Sequence, residues 1–136
     1  MARKRGRPTE LELEILKVLW ERGPSTVRDV LEVLAARRRV GYTTVLKMLQ
    51  IMEEKHLALC DRTARAHVYR ARATRRATLG RLAGDVLERV FDGSMPQLVL
   101  HALDRKRTDA RELADLRRLL DEIERSERHG HRKADR

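Results

Sequence analysis

The stretch Gly41-Tyr42-Thr43-Thr44-Val45-Leu46-Lys47-Met48-Leu49-Gln50-Ile51-Met52-Glu53-Glu54-Lys55 decides how this chain is read. At about 100° per residue on a helical wheel it separates into two faces. Val45, Met48, Leu49 and Met52 recur at i, i+3, i+4 and i+7 and form one apolar side. Thr43, Lys47 and Gln50 fall opposite, with Leu46 at their edge. The apolar side can anchor the helix in a core. The other side offers hydroxyl, amide and ammonium groups, which suit phosphate oxygens and base edges in a major groove. An ordinary amphipathic surface helix gives the same wheel, so the neighbouring segments decide between the two.

Two helices are predicted ahead of it. Thr9 offers an N-cap, and Glu12 three residues later completes a capping-box pattern. Leu11, Ile15, Val18 and Leu19 then share a face, with Trp20 beside them, until Gly23-Pro24 stops the helix after about Glu21. Ser25 or Thr26 caps the second helix, Thr26 pairing with Asp29 in another box. Val27, Val30, Leu31 and Leu34 form its stripe, and Arg37-Arg38-Arg39 ends it with cations at the negative end of the helix dipole. Behind the quoted helix, residues 57–62 and 66–70 read as short strands around the turn Thr63-Ala64-Arg65. Three helices and a basic hairpin form the order of a winged helix-turn-helix, whose third helix enters the major groove while the hairpin lies along the backbone.

Charge agrees with this reading. The 136 residues hold 31 Lys and Arg against 21 Asp and Glu, a net +10. Residues 1–72 carry 16 basic and 9 acidic side chains, whereas residues 73–136 carry 15 and 12. A basic front half beside a nearly balanced back half points to a polyanion-binding module joined to a part that does not touch the polyanion. Cys60 is the sole cysteine, so no intramolecular disulfide can form and a reducing compartment is expected. No apolar run approaches the roughly 18 residues of a membrane span. The basic N-terminus leads into Glu10, Glu12 and Glu14 rather than an apolar segment, unlike a signal peptide. The expected location is the cytoplasm, with no membrane insertion.

The back half changes character. Leu79, Leu82, Ala83, Val86, Leu87, Val90 and Phe91 keep a helical period until Asp92-Gly93-Ser94 breaks it. Met95, Leu98, Val99 and Leu103 suggest a short helix, and Leu113, Leu116, Leu120 and Ile123 a last one begun by Thr108 or Asp109. Such wide stripes cannot be hidden within about 50 residues, so a second copy of the chain is expected to cover them. The interface is placed on Leu82, Val86, Leu87, Val90, Phe91, Leu116, Leu120 and Ile123. From about Ser126 apolar residues almost cease, and a disordered charged tail is expected. The chain is thus read as mainly α: a basic arm at 1–8, a winged helix-turn-helix with a small β-hairpin wing at 9–72, a helical dimerisation region at 73–125 and a tail at 126–136.

Residues 9–20 (TELELEILKVLW), 42–55 (YTTVLKMLQIMEEK), 66–69, 91–103 (FDGSMPQLVLHAL) and 112–122 (ELADLRRLLDE) resemble the penicillinase-repressor family, the BlaI/MecI/CopY-type bacterial repressors. The resemblance spans nearly the whole chain. It implies a homodimeric winged-helix repressor on a palindromic operator, often encoded beside a membrane sensor whose zinc-protease domain relieves repression by cutting the repressor. It maps the start of the recognition helix onto Tyr42, Thr43 and Thr44, and the groove-facing position one turn later onto Lys47. In the best-known resistance repressors, a Leu-Val-Leu triplet precedes a cleaved Asn-Phe pair. This chain keeps Leu98-Val99-Leu100 but continues His101-Ala102, which puts cleavage there in doubt. The paired Cys-x-Cys motifs of the copper-responsive branch are missing, which excludes copper sensing of that kind.

The remaining constellations have both a functional and a plain reading. Arg5-Gly6-Arg7-Pro8, preceded by Arg3-Lys4, matches the core of an AT-hook, whose arginines enter a narrow minor groove; generic phosphate attraction, or no role, is the plain reading. In the wing, Arg62, Arg65, His67 and Arg70 are expected to supply phosphate contacts, with base reading by Arg65 a lesser option. His56, Cys60 and His67 could suggest a metal, but no fourth ligand stands at a standard spacing, so no metal or cofactor is expected. An enzyme would need a nucleophile with a base and an orienting group in a pocket. Cys60 with His67 is the one candidate pair, no glycine-rich phosphate loop, paired-carboxylate motif or HExxH occurs, and no enzyme is expected. The functional expectation is therefore double-stranded DNA bound through Tyr42, Thr43, Thr44, Lys47 and Gln50. The rivals are a sequence-neutral DNA architectural protein and a protein-interaction module.

Overall fold

A computed structural model of the chain describes residues 7–134. Arg3 and Arg5 of the proposed arm lie outside the described residues. The elements run α1 (Glu10–Arg22), β1 (Ser25–Thr26), α2 (Val27–Ala35), α3 (Tyr42–Glu54), β2 (Ala58–Asp61), β3 (Val68–Ala71), α4 (Arg75–Val90), α5 (Met95–Arg105) and α6 (Ala110–Ala134). The chain divides into two compact units, Met1–Val86 and Leu87–Arg136. The division falls inside α4, whereas the expected boundary at residue 72 lies just before it; α4 itself begins a turn earlier than the apolar period suggests. Thr74 starts it, its Oγ1 accepting from the Ala77 N–H at 3.1 Å.

The first unit is a winged helix. Both predicted capping boxes form: Thr9 Oγ1 accepts from Glu12 N at 3.2 Å while Glu12 Oε1 accepts from Thr9 N at 3.0 Å, and Thr26 and Asp29 exchange the same bonds at 3.1 and 3.0 Å. Gly23, at φ 84, ends α1 in a conformation that a Cβ would strain, and its N–H reaches the Leu19 carbonyl. Ile15, Leu16, Val30, Val45, Leu49 and Met52 meet in the core, each 2 % exposed or less. Full burial of each such side chain is worth about 1.5–3 kcal/mol. Met48, on the same wheel face, is only partly buried.

The hairpin belongs to a three-stranded antiparallel sheet of order β1-β3-β2, with Tyr69 of β3 opposite both Ser25 and Cys60. β1 was not expected. It is two residues long, too short for periodicity, and Thr26 serves twice. An N-cap needs extended backbone, and at φ −79, ψ 167 Thr26 can also pair with Val68. Tyr69 is 1 % exposed, and burial, then a hydrogen bond with Cys60, pushes its phenol up to about 12.

One ion pair ties the helices together. Lys55 Nζ lies 2.7 Å from Glu12 Oε1. Burial raises the Glu12 carboxyl, but hydrogen bonds from Lys55 and Thr9 outweigh it and leave the group below its ordinary value. Just beyond, α3 stops in a Schellman turn: Leu57 N–H reaches the Met52 carbonyl at 2.8 Å, His56 N–H reaches that of Glu53 at 3.1 Å, and His56 takes φ 61.

The second unit is built differently. Among the residues whose burial is described, neither α5 nor α6 contributes a buried one, and Met95, Leu100, Leu119, Leu120 and Ile123 are all at least half exposed. Asp109 starts α6, its Oδ1 accepting from Glu112 N at 2.8 Å. Where a disordered tail is expected from Ser126, α6 instead continues to Ala134. Lack of apolar residues speaks against packing, not against extending a helix already nucleated. Segment 126–134 is mostly Glu, Arg, His and Lys, and Arg128 pairs with Glu124 one turn back at 3.2 Å.

Candidate nucleic-acid interface

Gly41 opens α3 without any side-chain cap, so the first-turn N–H groups are left without a capping partner at the positive end of the helix dipole. Tyr42, Thr43 and Thr44 are exposed around that end, as are Lys47 and Gln50 further along. Val45, Leu49 and Met52 hold the opposite face in the core. The polar face of α3 is therefore presented outward by burial of the other face, as the wheel predicts.

A groove of about 360 Å³ opens beside this helix end. α2 supplies Val27 and Arg28, α3 supplies Tyr42 and Leu46, and the wing supplies Arg65 and His67. Of the expected residues, the structure thus brings together Tyr42, Arg65 and His67. Thr43, Thr44, Lys47 and Gln50 lie on α3 outside the groove's lining. Arg28 was missed by the sequence reading. Its signal was present: it stands two residues after the Thr26 cap, where an exposed cation beside a helix N-terminus suits an anion but not the helix itself.

Arg62 has a different environment from the one expected. Its Nη2 donates to Glu53 Oε2 at 2.6 Å, and this bond holds the Glu53 carboxyl below its ordinary value. His67, from the other side of the hairpin, adds to the same effect. The pair connects the base of the wing to the last turn of α3. The wing turn is shaped by Asp61, whose Oδ1 accepts from both the hydroxyl and the N–H of Thr63, at 2.7 and 2.9 Å. Arg7 is also engaged, its Nε 3.8 Å from Asp85 Oδ2 of α4.

The expected interface residues divide by exposure. Val86, Val90, Leu116, Leu120 and Ile123 are exposed, whereas Leu82, Leu87 and Phe91 are partly covered. His101 and Ala102 are both exposed within α5, and the His101 ring lies 5.6 Å from that of Phe91. Among the described residues, no three His, Cys, Asp or Glu side chains converge to hold a metal, and no helix is long and apolar enough to cross a membrane.

A three-stranded winged helix with an outward polar third helix defines a module of the transcription-regulator class. The sequence model of the penicillinase repressor matches residues 8–122. The protein BlaI, described as a transcriptional regulator, of Mycobacterium tuberculosis strains CDC 1551 / Oshkosh and ATCC 25618 / H37Rv is 39% identical over 125 residues, covering 90% of this chain and 88% of the relative. The chain belongs to the penicillinase repressor family, a family of transcriptional regulators.

Proposed function

We propose that the chain represses transcription as a homodimer that binds a palindromic operator, with α3 in the major groove. The observation that carries this is the uncapped start of α3, which displays Tyr42, Thr43 and Thr44 beside a groove flanked by Arg28, Arg65 and His67. Hydroxyls and an amide on a helix face suit base edges, while cations on its flanks suit the two phosphate backbones. In this reading Thr43, Thr44, Lys47 and Gln50 read sequence, and Arg28, Arg65 and His67 hold phosphates. Arg62 acts through Glu53 by fixing the wing against α3. Arg3, Arg5 and Arg7 add backbone affinity.

Footprinting on the DNA upstream of the protein's own gene would find the operator, and competition with random duplex then tests the reading. A repressor should prefer its operator by roughly 10³-fold or more. Equal affinity for both duplexes would favour the sequence-neutral alternative, for which the net charge of +10 suffices.

Pairing with a sensor protease is a separate matter. The bond between His101 and Ala102 lies in the middle of α5 and lacks the Asn-Phe pair of cleaved relatives. We propose that a protease specific for Asn-Phe leaves this chain intact, and that His101→Asn with Ala102→Phe makes it a better substrate. Intact mass after incubation decides; efficient scission of the native chain at that bond overturns the proposal.

A further inference from the structure

α3 spans 13 residues, so its end lies about 20 Å from the helix start that opens on the groove. A separate pocket of about 240 Å³ sits at this far end. Leu16 of α1, Leu57 and Thr78 of α4 are buried and line its inner part. His56, Arg72 and Arg81 are exposed and stand around it. Among the described residues, no carboxylate lines the pocket.

Its walls are well anchored. The Arg72 N–H donates to the Leu57 carbonyl at 3.0 Å, and the Trp20 indole donates to the Ala73 carbonyl at 2.9 Å. These bonds fix the chain between β3 and α4 beside α1. His56 is the telling member. At φ 61 it fills a Schellman position where glycine avoids a Cβ clash, so an imidazole is held at this mouth at a backbone cost that glycine would remove.

Two arginines and a histidine lining a small pocket floored by Leu16, Leu57 and Thr78 match one chemical class. Arginine binds carboxylate and phosphate heads through paired hydrogen bonds, and the volume is below that of drug-sized ligand sites. We propose that this pocket binds a small organic anion with a carboxylate or phosphate head, and that the bound anion braces the first turns of α4 against α1 and the end of α3. α4 continues to Val90, so bracing its start stiffens the segment that leaves the winged helix. An effect on operator affinity rests on the repressor reading above; anion binding itself does not.

The test is an NMR titration of the full chain with succinate and, separately, inorganic phosphate, at constant ionic strength against chloride. Saturable shifts should centre on the amides of His56, Leu57, Arg72 and Thr78. Arg72→Gln and Arg81→Gln should each weaken binding about tenfold, while Arg28→Gln in the distant groove leaves it unchanged. His56→Gly should weaken it several-fold without lowering the melting temperature, which separates loss of the imidazole from loss of the fold. The tighter probe identifies the head group. Shifts that stay linear for both probes, or that saturate equally in the Arg72→Gln/Arg81→Gln double variant, overturn the site. A probe that saturates the pocket without changing operator affinity overturns the bracing. A chain that binds the probe but prefers no operator leaves the site standing and refutes the repressor reading instead.

Discussion

The two units spend their apolar residues in opposite ways. In Met1–Val86, the stripes of α1, α2 and α3 close on one another, and core side chains such as Ile15, Val30 and Leu49 are wholly buried. In Leu87–Arg136, helices of similar pattern leave Leu100, Leu119, Leu120 and Ile123 half exposed or more. The stripes of α1, α2 and α3 are satisfied within one chain, and those of the second unit are not. Amphipathic periodicity thus marks an apolar face without saying whether the same chain covers it.

The largest effect expected from this contrast is on assembly. Val86→Asp or Leu120→Asp should give monomers in sedimentation, with operator affinity lower by about 10²–10⁴-fold through lost avidity. The melting transition of the winged helix should survive Leu120→Asp. Dimers that persist with both charges present would remove the interface and break the contrast.

The closed unit should respond in the opposite way, through stability. Lys55→Met leaves the buried Glu12 carboxylate without its cation and should destabilise the winged helix by about 3 kcal/mol, with self-association retained. The native pair also carries a pH signature. Because the Glu12 carboxyl is depressed below 4.5 in the folded chain, its contribution is present above that value and fades as pH falls through the lower folded value. Glu12→Gln should flatten this acid limb of the melting temperature. An acid limb unchanged by the substitution would show that the pair contributes nothing.

A smaller effect belongs to the wing. Glu53→Gln frees Arg62 and should weaken operator binding only a few-fold, since both groups of the pair are partly exposed. The exchanged pair Glu53→Arg with Arg62→Glu should recover part of the loss if geometry, rather than charge on the DNA, is what Arg62 supplies. No recovery would return Arg62 to direct phosphate contact.

What could be read in advance follows the same division. Thr9 with Glu12, Thr26 with Asp29 and the Val45-Leu49-Met52 stripe are local patterns, and each forms as written. β1 was invisible because its pairing partner is more than 40 residues away and its two residues already had a role as a helix start. Arg28 carries a local signal, a cation two residues after the Thr26 cap, but only folding brings it beside Tyr42 and Arg65. The same limit hid the Glu53–Arg62 bond, on which the proposal that Arg62 positions the wing rests. The expectation of a disordered tail from Ser126 rests on composition, which speaks to packing rather than to whether a helix such as α6 continues.

The central claim is that the outward face of α3 reads sequence. The most direct test measures Thr43→Ala and Lys47→Ala on the footprinted operator and on random duplex at one salt concentration. The account predicts losses of about 1–3 kcal/mol on the operator and smaller losses on random DNA. Equal losses on both would contradict it, because the helix would then contribute charge and contact without reading a base.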